Sequence, residues 1–275
     1  MTAPTTPPPS TSVSSPGNSL TLVPRDQFPS LVPYVPDTPW TTTALHLLQR
    51  RHGKVFVDNL AEPGSLVVIA PGDPQTRTPD EALLLGDPES EALKTFVAAI
   101  RSPMSLVCDD TIGEMVKATL PDAREHDAIV HWYDRLADAE SVAAEPGPRR
   151  LRNAESEAVA ALLPGWALRT WRTPKDLVMG SQVYVIEEAG SLVAAAFSLD
   201  QSFKYERVCA VTVQQHRLKG HGLRALKKLV RSITDQSRMA CAVVDRRDAA
   251  GLALAGKLGF TRKARVRCFI TSLKK

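Results

Sequence analysis

The residues best placed to do chemistry are Arg217, Leu218, Lys219, Gly220, His221 and Gly222. They separate a strand-like run at 207–213 from a helix-like run at 223–233. A strand, a glycine-containing turn and a helix start together make a cradle for an anion. Glycine lets the backbone approach a ligand closely, and a helix N-terminus presents free N–H groups and a partial positive charge. In this reading the amides of Leu218 to Leu223 donate to a pyrophosphate, and Arg217 and Lys219 add charge. The plainer alternative is an ordinary strand–turn–helix that happens to contain two glycines. His216 and His221 flank the turn, but the sequence offers no further ligand at zinc-site spacing, so no metal is expected.

The cradle needs a sheet behind it. Residues 239–245 read as a second buried strand, 248–258 as a helix closed by Gly259-Phe260, and 264–271 as a final strand. Upstream, 149–152 reads as a strand and 154–163 as a helix ending near Pro164-Gly165. Strands at 183–186 and 192–197 flank a turn at 188–190, a hairpin pattern. The N-terminal half repeats the order. A helix over 41–51, with Leu45 and Leu48 inward, stops at Gly53. Strands follow at 55–57, 66–69 and 83–85, then a helix at 88–100, a strand at 106–108, a helix at 111–120 and a strand at 129–132.

Composition bounds the function classes. Hydrophobic content of 43% in 275 residues supports a real core. Cys108, Cys209, Cys241 and Cys268 are dispersed, with no C-x-x-C pair, and read as buried reduced thiols. No apolar run reaches the length of a membrane span, and the N-terminus has no signal-peptide core, so a soluble cytoplasmic protein is expected. Residues 1–147 carry 10 Lys/Arg against 20 Asp/Glu, a charge of −10, whereas 148–275 carry 24 against 10, a charge of +14. A basic half attracts an anionic ligand. Residues 1–18, rich in Pro, Ser and Thr, cannot bury enough surface to offset ordering entropy and read as a disordered tail. The organisation expected is a tail at 1–18, one domain at 19–140, a linker at 141–147 and a second domain at 148–275.

The R-x-x-G-x-G spacing at 217–222 resembles the acetyl-CoA-binding motif of the GNAT N-acyltransferase superfamily. Leu254-Ala255-Gly256-Lys257-Leu258-Gly259-Phe260 is similar to the L-A-x-K-L-G-F close of its branch holding the FR47-like, glycine N-acyltransferase and zwittermicin-resistance-type proteins, and Thr212 also fits that branch. The two motifs cover roughly the last third of the chain. Gly53-Lys54-Val55-Phe56-Val57-Asp58-Asn59 and Leu85-Gly86-Asp87-Pro88 are similar to the degenerate N-terminal half of zwittermicin-resistance-type proteins. The fold implied is α/β (α+β): two tandem GNAT-like halves, each a mixed, mostly antiparallel sheet flanked by helices. The N-terminal half has no R-x-x-G-x-G and is expected to bind no CoA.

The resemblance implies acetyl transfer from acetyl-CoA, as co-substrate, to a primary amine of a small molecule by direct attack. It implies that the strand before the cradle pairs with the pantetheine through Val211 and Val213, with Thr212 between them. Glu206 stands at the offset where histone acetyltransferases of the superfamily place a glutamate base; the competing reading is a surface carboxylate paired with Arg207 or Lys204. Ala255 occupies the position of the usual tyrosine acid. Asp248 replaces a frequent asparagine and either bonds the cofactor or caps the last helix. Trp171 and Tyr184 either line an acceptor pocket or pack in the core. A longer acyl-CoA, a non-catalytic acyl-CoA-binding regulator and a nucleic-acid-associated basic half are the competing functions. No membrane partner is expected, and a homodimer stays open.

Overall fold

The computed structural model describes residues 19–73, 77–143 and 147–272. The tail at 1–18 and part of the linker (144–146) lie outside the described residues. In chain order the elements are β1 (Thr21–Leu22), α1 (Phe28–Leu31), α2 (Thr42–Arg50), β2 (Lys54–Val57), β3 (Ser65–Ala70), β4 (Asp80–Gly86), α3 (Glu91–Ala98), β5 (Met104–Cys108), α4 (Asp110–Thr119), β6 (Arg124–Trp132) and α5 (Leu136–Glu140). Then come β7 (Arg149–Arg150), α6 (Ser156–Ala160), α7 (Pro174–Gly180), β8 (Tyr184–Glu188), β9 (Ser191–Gln201), β10 (Tyr205–Thr212), α8 (His221–Thr234), β11 (Met239–Asp245), α9 (Ala249–Lys257) and β12 (Arg262–Ile270). This is the mixed α/β architecture with two similar halves that the sequence leads one to expect.

The strands form one continuous twelve-stranded sheet in the order β1-β2-β3-β4-β5-β12-β6-β11-β10-β9-β8-β7. Each half contributes five strands in sequence, and in each the fourth and fifth are parallel: β4 with β5, β10 with β11. The two last strands are exchanged. β6 from the N-terminal half lies against β11, and β12 from the C-terminal half lies against β5. β6 and β12 pair antiparallel with each other over nine residue pairs, Arg262 with Trp132 through Ile270 with Arg124. Neither half's sheet is complete without a strand of the other.

The charged start of β6 explains why only 129–132 reads as strand from sequence. Asp127 sits opposite Arg267 of β12, and Glu125 and Asp127 each reach diagonally to an arginine two positions along that strand. Glu125 accepts from Arg267 Nε at 2.7 Å, and Asp127 from Arg265 Nε at 2.9 Å. Cross-strand charge pairs support strand pairing that polar composition argues against. Helices cover both faces of the sheet. α8 and α9 pack on one face of the C-terminal half, burying Leu226, Leu229, Val230, Ile233 and Ala255. α6 and α7 pack on the other, where Val159, Leu177 and Val178 meet Phe197 and Trp171. Alternate side chains of β8 and the residue before it divide between the two, Tyr184 and Ile186 to the first and Val183 and Val185 to the second, as period-two geometry requires.

α2 crosses from its own half onto β9 and β10. Thr43 Oγ1 donates to Asp200 Oδ2 at 2.8 Å, and the Gln201 amide donates to His46 Nδ1 at 3.1 Å. Asp200 also pairs with Arg207. Burial opposes ionisation of Asp200, yet Arg207, His46 and Thr43 together hold its carboxyl below the usual range. Nearby, Arg169 binds Glu81 of β4 at 2.6 Å. The −10 and +14 halves are therefore joined by the half-buried Arg169–Glu81 pair and the Thr43–Asp200 hydrogen bond as well as by shared strands.

Candidate active site

The site begins where β10 leaves β11. The two strands pair only over Tyr205–Met239, Glu206–Ala240 and Arg207–Cys241. Beyond that point β10 keeps its partner β9 as far as Thr212, while β11 continues along β6 as far as Asp245. The sheet therefore opens into a V between Val208–Thr212 and Ala242–Asp245. Cys209, Ala210, Val211, Thr212, Ala242 and Val243 are all only partly buried, in the middle of a sheet. A row of unpaired strand groups in such a gap can accept an extended ligand as a further strand.

Strand alternation decides which groups face the gap. The Val213 amide donates to Val193 O at 2.9 Å, so the backbone of Val213, and of Val211 two residues before it, points to β9. Ala210 and Thr212 carry the groups on the open side, and the Thr212 carbonyl accepts from Arg217 Nε at 3.3 Å. The expectation that Val211 and Val213 offer their backbone to a ligand thus shifts by one residue, because antiparallel pairing with β9 claims every second position.

The mouth of the V is closed by the turn from β10 to α8. Leu218 (φ 64°) and Gly220 (φ 81°) both lie in the left-handed region. For leucine this conformation costs on the order of 1 kcal/mol, and such strain collects at functional loops. Leu218 is also fully exposed. Gly220 is the N-cap of α8, so no side chain caps the helix. Outside the helix itself, none of the amides of Leu218, Lys219, Gly220, His221, Gly222 or Leu223 makes a backbone hydrogen bond among the described residues. Gly222 faces β10: a Cβ there would lie 3.2 Å from Thr212 Oγ1 and 3.7 Å from Ala210 Cβ. The turn is an open set of donors with a helix dipole behind it.

The matching turn in the N-terminal half is filled. There the N-cap of α3 is Ser90, whose hydroxyl accepts from the Leu93 amide at 3.3 Å. Leu84 and Leu85, late on β4, are buried, where the equivalent stretch of β10 is half open. An anion would compete with Ser90 for the helix start and meet Glu89 and Glu91 beside it.

Glu206 lies at the apex of the V, 1% exposed. Its carboxylate binds Arg238 at 2.5 Å, accepts from Gln201 Nε2 at 3.2 Å, and accepts from the Ser198 hydroxyl. Its ionic partner is Arg238, neither Arg207 nor Lys204. A proton acceptor needs a free lone pair within reach of the amine, and these lone pairs are engaged. Asp248 is the N-cap of α9, its Oδ1 accepting from the Gly251 amide at 2.9 Å. Ala255, on α9, is buried against the core. Tyr133, from the N-terminal half, packs nearby, but its hydroxyl donates to the Leu258 carbonyl at 2.5 Å, and burial pushes its pKa up. Trp171 and Tyr184 are core residues: Trp171 Nε1 donates to Ser198 O at 3.1 Å, and Tyr184 is 8% exposed.

His216 and His221 are brought together with Glu188, at the end of β8, an association the sequence gives no hint of because Glu188 belongs to a separate hairpin. No described helix is long and apolar enough to cross a membrane.

No protein-family model matches the sequence, and no curated protein is similar to it. Solved structures are similar in fold. A GCN5-related N-acetyltransferase-like protein from Streptococcus suis superposes with a TM-score of 0.62 at 16% identity, over 89% of this chain and 98% of that one. A tandem GNAT protein from the clavulanic acid biosynthesis pathway gives 0.59 at 15% identity, over 94% and 99%. A GNAT-family acetyltransferase from Colwellia psychrerythraea gives 0.58 at 11% identity, over 92% and 100%. At these identities the likeness is one of fold, and the chain shares it with these structures along nearly its whole length.

Proposed function

We propose that this protein is an N-acyltransferase that moves an acetyl group from acetyl-CoA to a primary amine of a small molecule. One observation carries the reading: the V between β10 and β11 ends on an uncapped helix start with strained, donor-rich backbone. Those two features match the two parts of CoA. The amides of Leu218 to Leu223 take the diphosphate, with Arg217 and Lys219 adding charge. The open edge of β10 at Ala210 and Thr212 takes the amide groups of the pantetheine arm. The thioester then lies deeper in the V, toward Val208.

The chemistry is direct. The amine nitrogen attacks the thioester carbonyl, forming the C–N bond. The tetrahedral adduct collapses, the C–S bond breaks, and the sulfur leaves as thiolate while the amine proton passes to water or a base. A thiol pKa of about 8.5 makes that leaving group tolerable without a dedicated acid, which fits alanine at 255. In this reading Glu206 becomes the base only when Arg238 releases it; otherwise the proton leaves through water. The acidic N-terminal half favours a cationic acceptor.

A second reading is favoured by the engaged Glu206 and by Ala255: a regulator that binds acyl-CoA without turnover. Release of free CoA thiol from acetyl-CoA across a panel of primary amines separates the two. Thiol release with at least one amine supports the transferase. Saturable acetyl-CoA binding with no release on any amine supports the regulator. No binding at all removes both.

A further inference from the structure

We propose that Glu188, His216 and His221 form a binding site for a transition-metal dication of the zinc class. Three separate segments supply the ligands: the end of β8, the short 3₁₀ turn Gln214–His216, and the first turn of α8. Their donor atoms all lie within 4.8 Å of one another. His216 Nδ1 is 2.9 Å from Glu188 Oε2, and His221 Nε2 is 3.1 Å from Glu188 Oε1. Donors bound at 2.0–2.1 Å to a tetrahedral zinc lie about 3.4 Å apart, so small side-chain movements close the set.

The second observation is the state of His221. It is only 5% exposed, and neither ring nitrogen has a hydrogen-bond partner. His216 Nδ1 is likewise buried and unpartnered. The short distances to Glu188 therefore are not aligned hydrogen bonds. The two imidazole nitrogens and the carboxylate instead stand together as a compact group of donors. A buried polar group without a partner is costly, and a dication among the three would give His216 Nδ1 and His221 Nε2 the partner each lacks. Two imidazoles and one carboxylate form a donor set that suits zinc, cobalt or nickel, and a fourth position is left for water. Glu188 is about 40% exposed, which provides an entry path from solvent.

The location gives the site a structural consequence. His216 precedes the strained turn at Leu218–Gly220 and His221 follows it, so one ion ties both ends of that turn to the β8–β9 hairpin. The claim concerns metal binding by these three residues and does not rest on acyl transfer.

The test is cobalt(II) absorption and zinc calorimetry on tag-free, chelator-treated full-length protein, with no CoA present. The expected result is one zinc per chain and visible d–d bands from tetrahedral cobalt. Both are weakened at least tenfold in His216→Gln and in Glu188→Gln, whose thermal midpoints report that they are folded. His216 and Glu188 are partly exposed, so these variants keep the core intact. Absence of saturable zinc binding by the wild type overturns the proposal. So does binding that persists unchanged in both variants, which would point instead to the buried cysteines. Acetyl-CoA calorimetry on metal-free protein tests the acyltransferase reading separately.

Discussion

Replacing Gly222 by tryptophan tests the cradle directly. The glycine faces β10, with Thr212 Oγ1 3.2 Å and Ala210 Cβ 3.7 Å from where a Cβ would sit. An indole has no room on that side. It must turn outward across the helix start, over the amides that the proposed diphosphate uses. A hydrogen bond to a charged acceptor contributes about 1.5–3 kcal/mol. Loss of two at the lower value weakens binding by about 3 kcal/mol, roughly 150-fold in Kd. Gly222→Ala is the control. Its methyl asks Thr212 to yield by a few tenths of an ångström and leaves every amide in place, so its Kd stays near that of the wild type. The assay is calorimetric titration of acetyl-CoA into each protein, with thermal midpoints to confirm folding. The reasoning fails if the folded tryptophan variant binds as the wild type does. It also fails if the wild type shows no saturable binding near 1 mM, a free energy of about −4 kcal/mol.

Other outcomes follow from particular contacts. Arg238→Ala leaves the carboxylate of Glu206, 1% exposed, without its ionic partner; a loss of about 3 kcal/mol in urea unfolding is expected, and an unchanged midpoint would show that the pair contributes nothing. If Glu206 acts as a base, Glu206→Gln lowers kcat at least tenfold while leaving acetyl-CoA affinity intact; loss of activity only in step with loss of stability marks it as structural. Burial pulls the pKa of His46 down to about 4 from an ordinary 6.5. The unfolded chain therefore binds the proton first, and stability is full above pH 6.5 and falls as pH drops toward 4, by up to about 3 kcal/mol. His46→Gln flattens that slope, and identical slopes in the two proteins would refute it. Finally, residues 1–147 and 148–275 expressed as two chains should co-purify, because β6 and β12 each pair with strands of the other half; two independently soluble monomers would contradict the exchange.

The sequence by itself determined the local devices of this protein. The strand–turn–helix around 217–222 was legible because its parts are consecutive: a strand, two glycines and an amphipathic helix fall within about thirty residues, and glycine's freedom at positive φ is a property of the residue. The helix over 41–51 was equally legible, from Leu45 and Leu48 on one face and Gly53 at its end, and the structure has it at Thr42–Arg50. Asp248 as a cap was one of two readings open in the sequence, and its bond to the Gly251 amide spans only three residues. What only the tertiary structure decided is non-local. β12 joins β5 across more than 150 positions because the central strands have both edges to satisfy, and hydrogen bonding across a ladder carries no sequence signature of its own. The charged start of β6 became strand because β12 brought arginines opposite it. Glu206 met Arg238 because parallel pairing of β10 with β11 sets the start of one strand beside the start of the other. Glu188 met the two histidines because a hairpin turn folded back against a helix start. In each case the partner is set by how the sheet closes, and the closure depends on burial summed over the whole chain.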